Sequence, residues 1–193
     1  MHMSTEKVSK KKDAKAAKAE KARVAVPSGV TVSINGNVIE TKGSLGSNKR
    51  EFNDALIKVS SSDGSIEVEP IGKGSLAKKS AMTVNSFSKE ISNDMNGVVT
   101  LFEKHMRIVF AHFPITVESK DGFVYIKNII GERMPRKSPI VGGTKIEVKG
   151  QNVRVYGTSL DDVAQTAANI RKTCRIRRKD SRVFQDGLYY EII

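Results

Sequence analysis

Seven of the twelve residues from Arg171 to Arg182 are basic, namely Arg171, Lys172, Arg175, Arg177, Arg178, Lys179 and Arg182, against one acid, Asp180. Like charges at this density repel one another unless solvent or a polyanion screens them. Phosphates supply that counter-charge. Phe184, Tyr189 and Tyr190 follow closely and add ring faces on which a base or a sugar can stack. The pattern points to polyphosphate binding by charge, with a solvated basic tail as the alternative.

The other chemistry-bearing residues are not arranged to react. Serines and acids are plentiful, yet no motif sets a nucleophile beside a base and an orienting acid. His105, His112 and Cys174 lack metal-ligand spacing, so neither a metal nor a cofactor is expected. His112 reads as a packed or hydrogen-bonded histidine rather than a base. Gly72-Lys73-Gly74-Ser75, with Lys78 and Lys79, precedes a helix and could receive a phosphate at its N-terminus. It lacks P-loop spacing, and a mobile surface loop is the alternative.

Charge is unevenly spread along the 193 residues, whose net charge is +12. Met1 to Arg23 carries eight bases and three acids, and Arg171 to Arg182 seven bases and one acid. The remaining eighteen bases and seventeen acids nearly cancel. A neutral body with basic ends is the distribution of a folded domain whose extensions reach along nucleic acid. No apolar run approaches the roughly 18 residues of a membrane span, so a soluble protein with no membrane partner is expected. The N-terminus has no apolar core of a secretory signal, and the single cysteine, Cys174, fits a reducing compartment.

Positioning these residues falls to strands and helices whose order occurs twice. Residues 1–23 form a Lys/Ala-rich basic extension with no apolar face, expected to be disordered when free. Val30, Val32 and Ile34 then alternate with polar residues up to the turn signal Asn35-Gly36, and Val38 to Thr41 continues the hairpin. Arg50 to Phe52 restarts extended structure, and Leu56 to Val59 and Ser65 to Glu69 flank a second turn at Asp63-Gly64. Val84, Phe87, Ile91, Met95, Val98 and Phe102 recur at spacings of three and four, the stripe of a long helix with Ser88, Glu90, Asn93 and Asp94 on its other side.

The order then repeats. Ile115 to Glu118 and Phe123 to Lys127 flank Asp121-Gly122, Arg133 to Ile140 stands for the middle strand, and Lys145 to Val148 pairs with Val153 to Tyr156. A helix follows, opened by a capping-box-like Ser159 and Asp162, with Leu160, Val163, Ala164, Ala167, Ile170 and Cys174 on one face. The expected fold is α+β: two tandem similar domains, each a small, mostly antiparallel sheet packed against one helix, with basic terminal extensions. The expected boundaries are 1–23 for the extension, 24–103 and 104–178 for the two repeats, and 179–193 for an RNA-binding C-terminal tail.

The second repeat carries motifs with a known likeness. Ala111 to Val117 (AHFPITV), Gly131 to Arg133, Pro135 to Lys137 and above all Arg178 to Tyr190 (RKDSRVFQDGLYY) resemble the universal large-subunit ribosomal protein six family in its archaeal and eukaryotic form. The first repeat resembles it less specifically, through Val26 to Gly43. The likeness covers about Val24 to Tyr190, and the N-terminal extension departs from it.

The resemblance implies a structural, non-enzymatic protein of the large ribosomal subunit, cytoplasmic, with two similar α+β domains. It implies binding to large-subunit rRNA through the C-terminal domain and tail, near the sarcin-ricin loop and the stalk base where translation GTPases dock. Neighbouring large-subunit ribosomal proteins are further partners. From its near-neutral charge, the first repeat is expected to serve as a protein-facing or positioning domain. Carried onto this chain, the matching positions are Arg178, Lys179, Arg182, Phe184, Asp186, Gly187 and Tyr190, with Arg133, Arg136 and Lys137 in the preceding loop. Together with Arg171, Lys172, Arg175, Arg177 and Tyr189 from the charge pattern, these basic residues and tyrosines are the expected RNA contacts. Phe184 is expected to pack the tail back onto the domain, and Gly187 to allow a turn that side chains resist. From the residues alone, a free-standing RNA-binding or RNA-chaperone module is the alternative, and an enzyme acting on RNA lacks a catalytic set.

Overall fold

The computed structural model describes residues 21–62, 64–72, 76–177, 179–180 and 182–191. The N-terminal extension up to residue 20, Asp63, Lys73 to Ser75, Arg178, Ser181 and the last two residues lie outside the described residues. The chain divides after Met95 into two compact units.

The first unit holds six strands and most of a helix. They are β1 (Ala22–Ala25), β2 (Thr31–Asn35), β3 (Val38–Gly43), β4 (Gly46–Glu51), β5 (Ile57–Ser62), β6 (Ser65–Pro70) and α1 (Ala77–Gly97). The strands form two antiparallel three-stranded sheets, in the orders β2-β3-β4 and β1-β6-β5. The expected stripe of α1 is the core: Val84, Phe87, Ile91 and Met95 are buried against Ile39, Ile57, Ile66 and Val68. Each such side chain contributes about 1.5–3 kcal/mol when fully buried. Two expectations fail here. Asp94 is 4% exposed rather than on the outer side, because Arg50 of β4 meets it with Nε and Nη2 at 2.5 and 3.0 Å. The helix also stops before Phe102: Asn96 accepts from the amides of Val99 and Thr100, and any Cβ at Gly97 would strike the Thr158 carbonyl oxygen.

The second unit repeats the pattern. Its elements are β7 (Phe102–Val109), β8 (Thr116–Lys120), β9 (Phe123–Lys127), a short 3-10 turn at Ile129–Gly131, β10 (Arg136–Pro139), β11 (Lys145–Lys149), β12 (Asn152–Gly157), α2 (Leu160–Cys174) and β13 (Gly187–Tyr190). The sheets run β10-β9-β8 and β11-β12-β7-β13, again antiparallel throughout. Strand by strand, β8-β9-β10 matches β2-β3-β4 and β7-β12-β11 matches β1-β6-β5, so the tandem α+β architecture holds. The β8–β9 hairpin turns on Asp121 and Gly122 at φ of +52° and +75°, the left-handed pair that matches strand twist.

Strand β7 is not among the elements expected from the sequence, and neither is β1, whose Ala22 and Arg23 fall in the expected extension. The α2 cap is as expected, with Ser159 Oγ accepting from the Asp162 amide at 3.3 Å. Its buried face is Val163, Thr166, Ala167, Ile170 and Cys174. Leu160 and Ala164 are exposed instead, and Thr166 is admitted because its Oγ1 accepts from the Val141 amide at 3.0 Å.

Candidate nucleic-acid interface

The basic segment begins on a helix end. Arg171 and Lys172 occupy the last turn of α2, where unpaired carbonyls favour cations, and Arg175 follows as its C-cap. All three are exposed, as are Arg177 and Lys179. The chain then turns: Asp180 Oδ1 accepts from the Arg182 amide at 2.9 Å, and the Asp180 carbonyl accepts from Val183 and Phe184. This turn aims the chain back at the domain.

Three contacts dock the returning chain. The Phe184 ring stacks on His112 with centroids 5.1 Å apart, as expected for a packing residue. The buried Asp186 accepts from the Ala111 amide at 2.8 Å through Oδ1. Leu188, 1% exposed, enters the core as β13 pairs with β7 from Gly187 opposite Val109 to Tyr190 opposite Met106. Gly187 sits at φ +155°, a backbone that side chains resist, and it is buried. Residues 187–190, expected within the RNA-binding C-terminal tail, are thus the edge strand of the sheet. Burial of Leu188 and completion of the β7 hydrogen-bond ladder account for the difference.

The return of the chain leaves an open groove of about 1050 Å³ between the end of α2 and β13. Arg171, Lys172, Arg175, Arg177 and Lys179 line it together with Tyr189 and Tyr190, so most of the expected contacts converge on one concave surface. Tyr189 is exposed, but Tyr190 is not free for stacking. Its ring lies under Arg171 and Lys104, each cation 5.2 Å from the centroid. Lys104 is not among the expected contacts because it lies on β7, where it breaks the apolar alternation of Met106 and Ile108.

Five expected positions fall outside the groove or outside the described residues. Arg178 lies outside the latter. Arg182 forms a fork with its neighbour Asp180, Nη2 to Oδ2 at 3.0 Å, which holds that carboxyl below the usual range. Arg133 is exposed with no partner among the described residues, and Lys137 sits 5.5 Å from the Tyr125 centroid. Arg136 has a different place. It takes both carboxylate oxygens of Glu132 and donates to the Thr173 and Arg175 carbonyls at 2.8 and 3.0 Å. Its hydrogen bond to Glu132 raises its own pKa and lowers that of the acid. The guanidinium closes the C-terminus of α2 and ties the Arg133 loop to the back of the groove.

Elsewhere the structure offers little chemistry. Ser80 Oγ accepts from the Gly72 amide at 3.1 Å and donates to the Leu56 carbonyl, while Lys73 to Ser75 of the Gly/Lys loop before α1 lie outside the described residues. Among the described residues no three His, Cys, Asp or Glu side chains converge, and no helix is long and apolar enough to cross a membrane.

The doubled architecture agrees with comparison to known proteins. The family model for ribosomal protein L6 matches residues 26–100 and again 113–187, one match for each unit. The chain belongs to the ribosomal protein L6 family. It is similar to the large ribosomal subunit protein uL6 of Methanocella arvoryzae, 47% identical over 174 residues, 89% of this chain and 96% of the relative. The uL6 of Methanobrevibacter smithii is 38% identical over 86% of this chain and 92% of its own length, and that of Archaeoglobus fulgidus 37% identical over 86% of each. The L6 family is structural and non-catalytic. The second family match ends at Gly187, so the basic groove belongs to the matched L6 repeat except for the last three residues of β13.

Proposed function

We propose that this chain, as a structural constituent of the large ribosomal subunit, binds large-subunit rRNA through the groove between α2 and β13. The observation that carries the reading is the convergence of five cationic side chains, Arg171, Lys172, Arg175, Arg177 and Lys179, on one concave surface beside Tyr189. Such a surface engages phosphates and fixes position rather than reading sequence. Arg133 and Lys137 extend the cationic field from the loop that Arg136 anchors. The particle site is next to the sarcin-ricin loop and the stalk base, where translation GTPases dock; the tail motifs from Lys179 to Tyr190 support that placement. The first repeat, residues 24–103, nearly neutral with eight bases and nine acids, faces neighbouring ribosomal proteins.

The experiment is sedimentation of a tagged copy followed by chemical footprinting of the rRNA. The expected result is stoichiometric migration with large subunits and protection of a few rRNA helices, the sarcin-ricin loop among them. Recovery only in the soluble fraction, free of subunits, would point to the free-standing RNA-binding module instead.

A further inference from the structure

The loop between β7 and β8 holds two phenylalanine rings in solvent, Phe110 38% and Phe113 43% exposed. It is a fastened loop. The Ala111 amide is bound by Asp186, the His112 imidazole lies on Phe184, and Asn128 Nδ2 donates to the Pro114 carbonyl at 3.0 Å. On its far side the Phe113 ring rests against the backbone turn at Gly131, where an added Cβ would stand 3.5 Å from it. A loop tied in this way to its neighbours displays its rings instead of folding them away, and exposed apolar surface of this kind marks a contact site.

The surroundings select the partner. Phe184, which lines the basic groove, stacks on His112, the loop residue that stands between Phe110 and Phe113 in the chain. Lys179, which lines the groove, lies 5.2 Å from the Phe184 centroid, and Arg133 is exposed two residues beyond the Gly131 turn that backs Phe113. Three acids of this region have partners: Glu132 pairs with Arg136, Asp180 with Arg182, and Asp186 Oδ1 accepts from the Ala111 amide. An apolar protein surface would satisfy the rings but leave these cations facing it unpaired. A polynucleotide satisfies both, with phosphates for the cations and base faces for the rings.

We infer that Phe110 and Phe113 stack unpaired nucleobases of the RNA whose phosphates occupy the groove. The inference rests on the reading of the groove as the rRNA site, and it adds a requirement for splayed-out bases that charge alone does not impose. Stacking on an aromatic side chain contributes about 1–3 kcal/mol per base, a factor of about 5 to 150 in affinity.

The test uses the full chain and a transcript of large-subunit rRNA, with Phe110→Leu and Phe113→Leu combined so that apolar volume stays and the ring faces go. Affinity should fall at least about fivefold while the slope of log affinity against log salt is unchanged, since no phosphate contact is lost. In parallel, irradiation of wild-type large subunits at about 254 nm should leave a nucleotide covalently on Phe110 or Phe113, zero-length crosslinks being favoured by stacking. Unchanged affinity in the leucine variant, or photo-crosslinks from these positions only to protein, overturns the stacking. Wild-type affinity indifferent to salt overturns the groove reading and this inference with it. Salt-dependent affinity with no effect of the leucines overturns the stacking alone.

Discussion

Arg136 donates to the carbonyl oxygen of Thr173 at 2.8 Å across the gap between β10 and the last turn of α2. The same guanidinium holds Glu132 in a fork, so its hydrogen-bonding capacity is largely spent inside the protein. Replacing it by lysine keeps the charge but loses the planar fork. Arg136→Lys should lower stability by about 1–3 kcal/mol, the cost of hydrogen bonds to charged groups. Arg133→Gln, by contrast, should leave the melt within about 0.5 kcal/mol of wild type and weaken RNA binding. Urea titrations of the two variants check the pair. Equal stability for both would mean that Arg136 does not close the helix.

In the first unit the weight falls on Arg50 and Asp94. The carboxylate is 4% exposed and takes two guanidinium donors, while Glu90 takes a third at 3.1 Å. Asp94→Leu removes one partner and leaves Arg50 half-buried beside an apolar group. A loss of about 3 kcal/mol is expected, near the lower end for a broken buried pair. Thermal unfolding measures it. The salt slope of RNA binding should stay at the wild-type value, because the groove lies in the other unit.

How much of this was legible follows from the range of each interaction. The basic cluster could be read directly, because seven charges in twelve residues are a local fact. The two hairpin-and-helix repeats were also legible, since turn residues such as Asp121-Gly122 and the α1 stripe are written at short spacing. Strand β7 was not: Phe102 falls four residues after Val98 and extends the helical period, and Lys104 interrupts the apolar alternation of Met106 and Ile108. What separates the two readings is the backbone approach of Gly97 to Thr158, a contact between residues about sixty apart in the chain. Arg136 illustrates the same limit at the site. Its residue type suits phosphate and carbonyl equally, and only the position of Thr173 decides between them. The groove itself exists because Leu188 and Asp186 draw the chain back to β7, which no local pattern states.

Cys174 provides a pH-dependent signature of the second core. It is 3% exposed, and burial pushes its thiol up from 9.0 to about 11, against smaller lowering effects of a backbone hydrogen bond with Leu188 and of the Arg136 charge. The folded state therefore keeps a proton that the unfolded state releases above about pH 9. Its stabilising contribution is fully present below that pH and is lost as pH rises toward 11, up to about 2–3 kcal/mol for a shift of this size. Cys174→Ala should flatten the decline of stability between these limits relative to wild type. Alkylation by iodoacetamide at about pH 8 should be slow in the native protein and fast in denaturant. Rapid native alkylation would show that the thiol is not enclosed by α2 and β13.

The decisive prediction separates groove cations from the other basic residues of the segment. Lys172, Arg175 and Arg177 line the groove without a carboxylate partner among the described residues, whereas Arg182 is engaged by Asp180. Each phosphate contact releases counterions and contributes about 0.7 to 0.9 to the slope of log affinity against log salt. Substituting the three groove residues together by Gln should reduce that slope by about two to three units. Arg182→Gln alone should reduce it by less than about one. The melt should change little in both cases, because all four side chains lie on the surface and none fills the core. Filter binding or fluorescence anisotropy across a salt series measures the slopes. An unchanged slope in the triple variant, with folding intact, would mean that the groove is solvated and that the rRNA contacts lie on another surface.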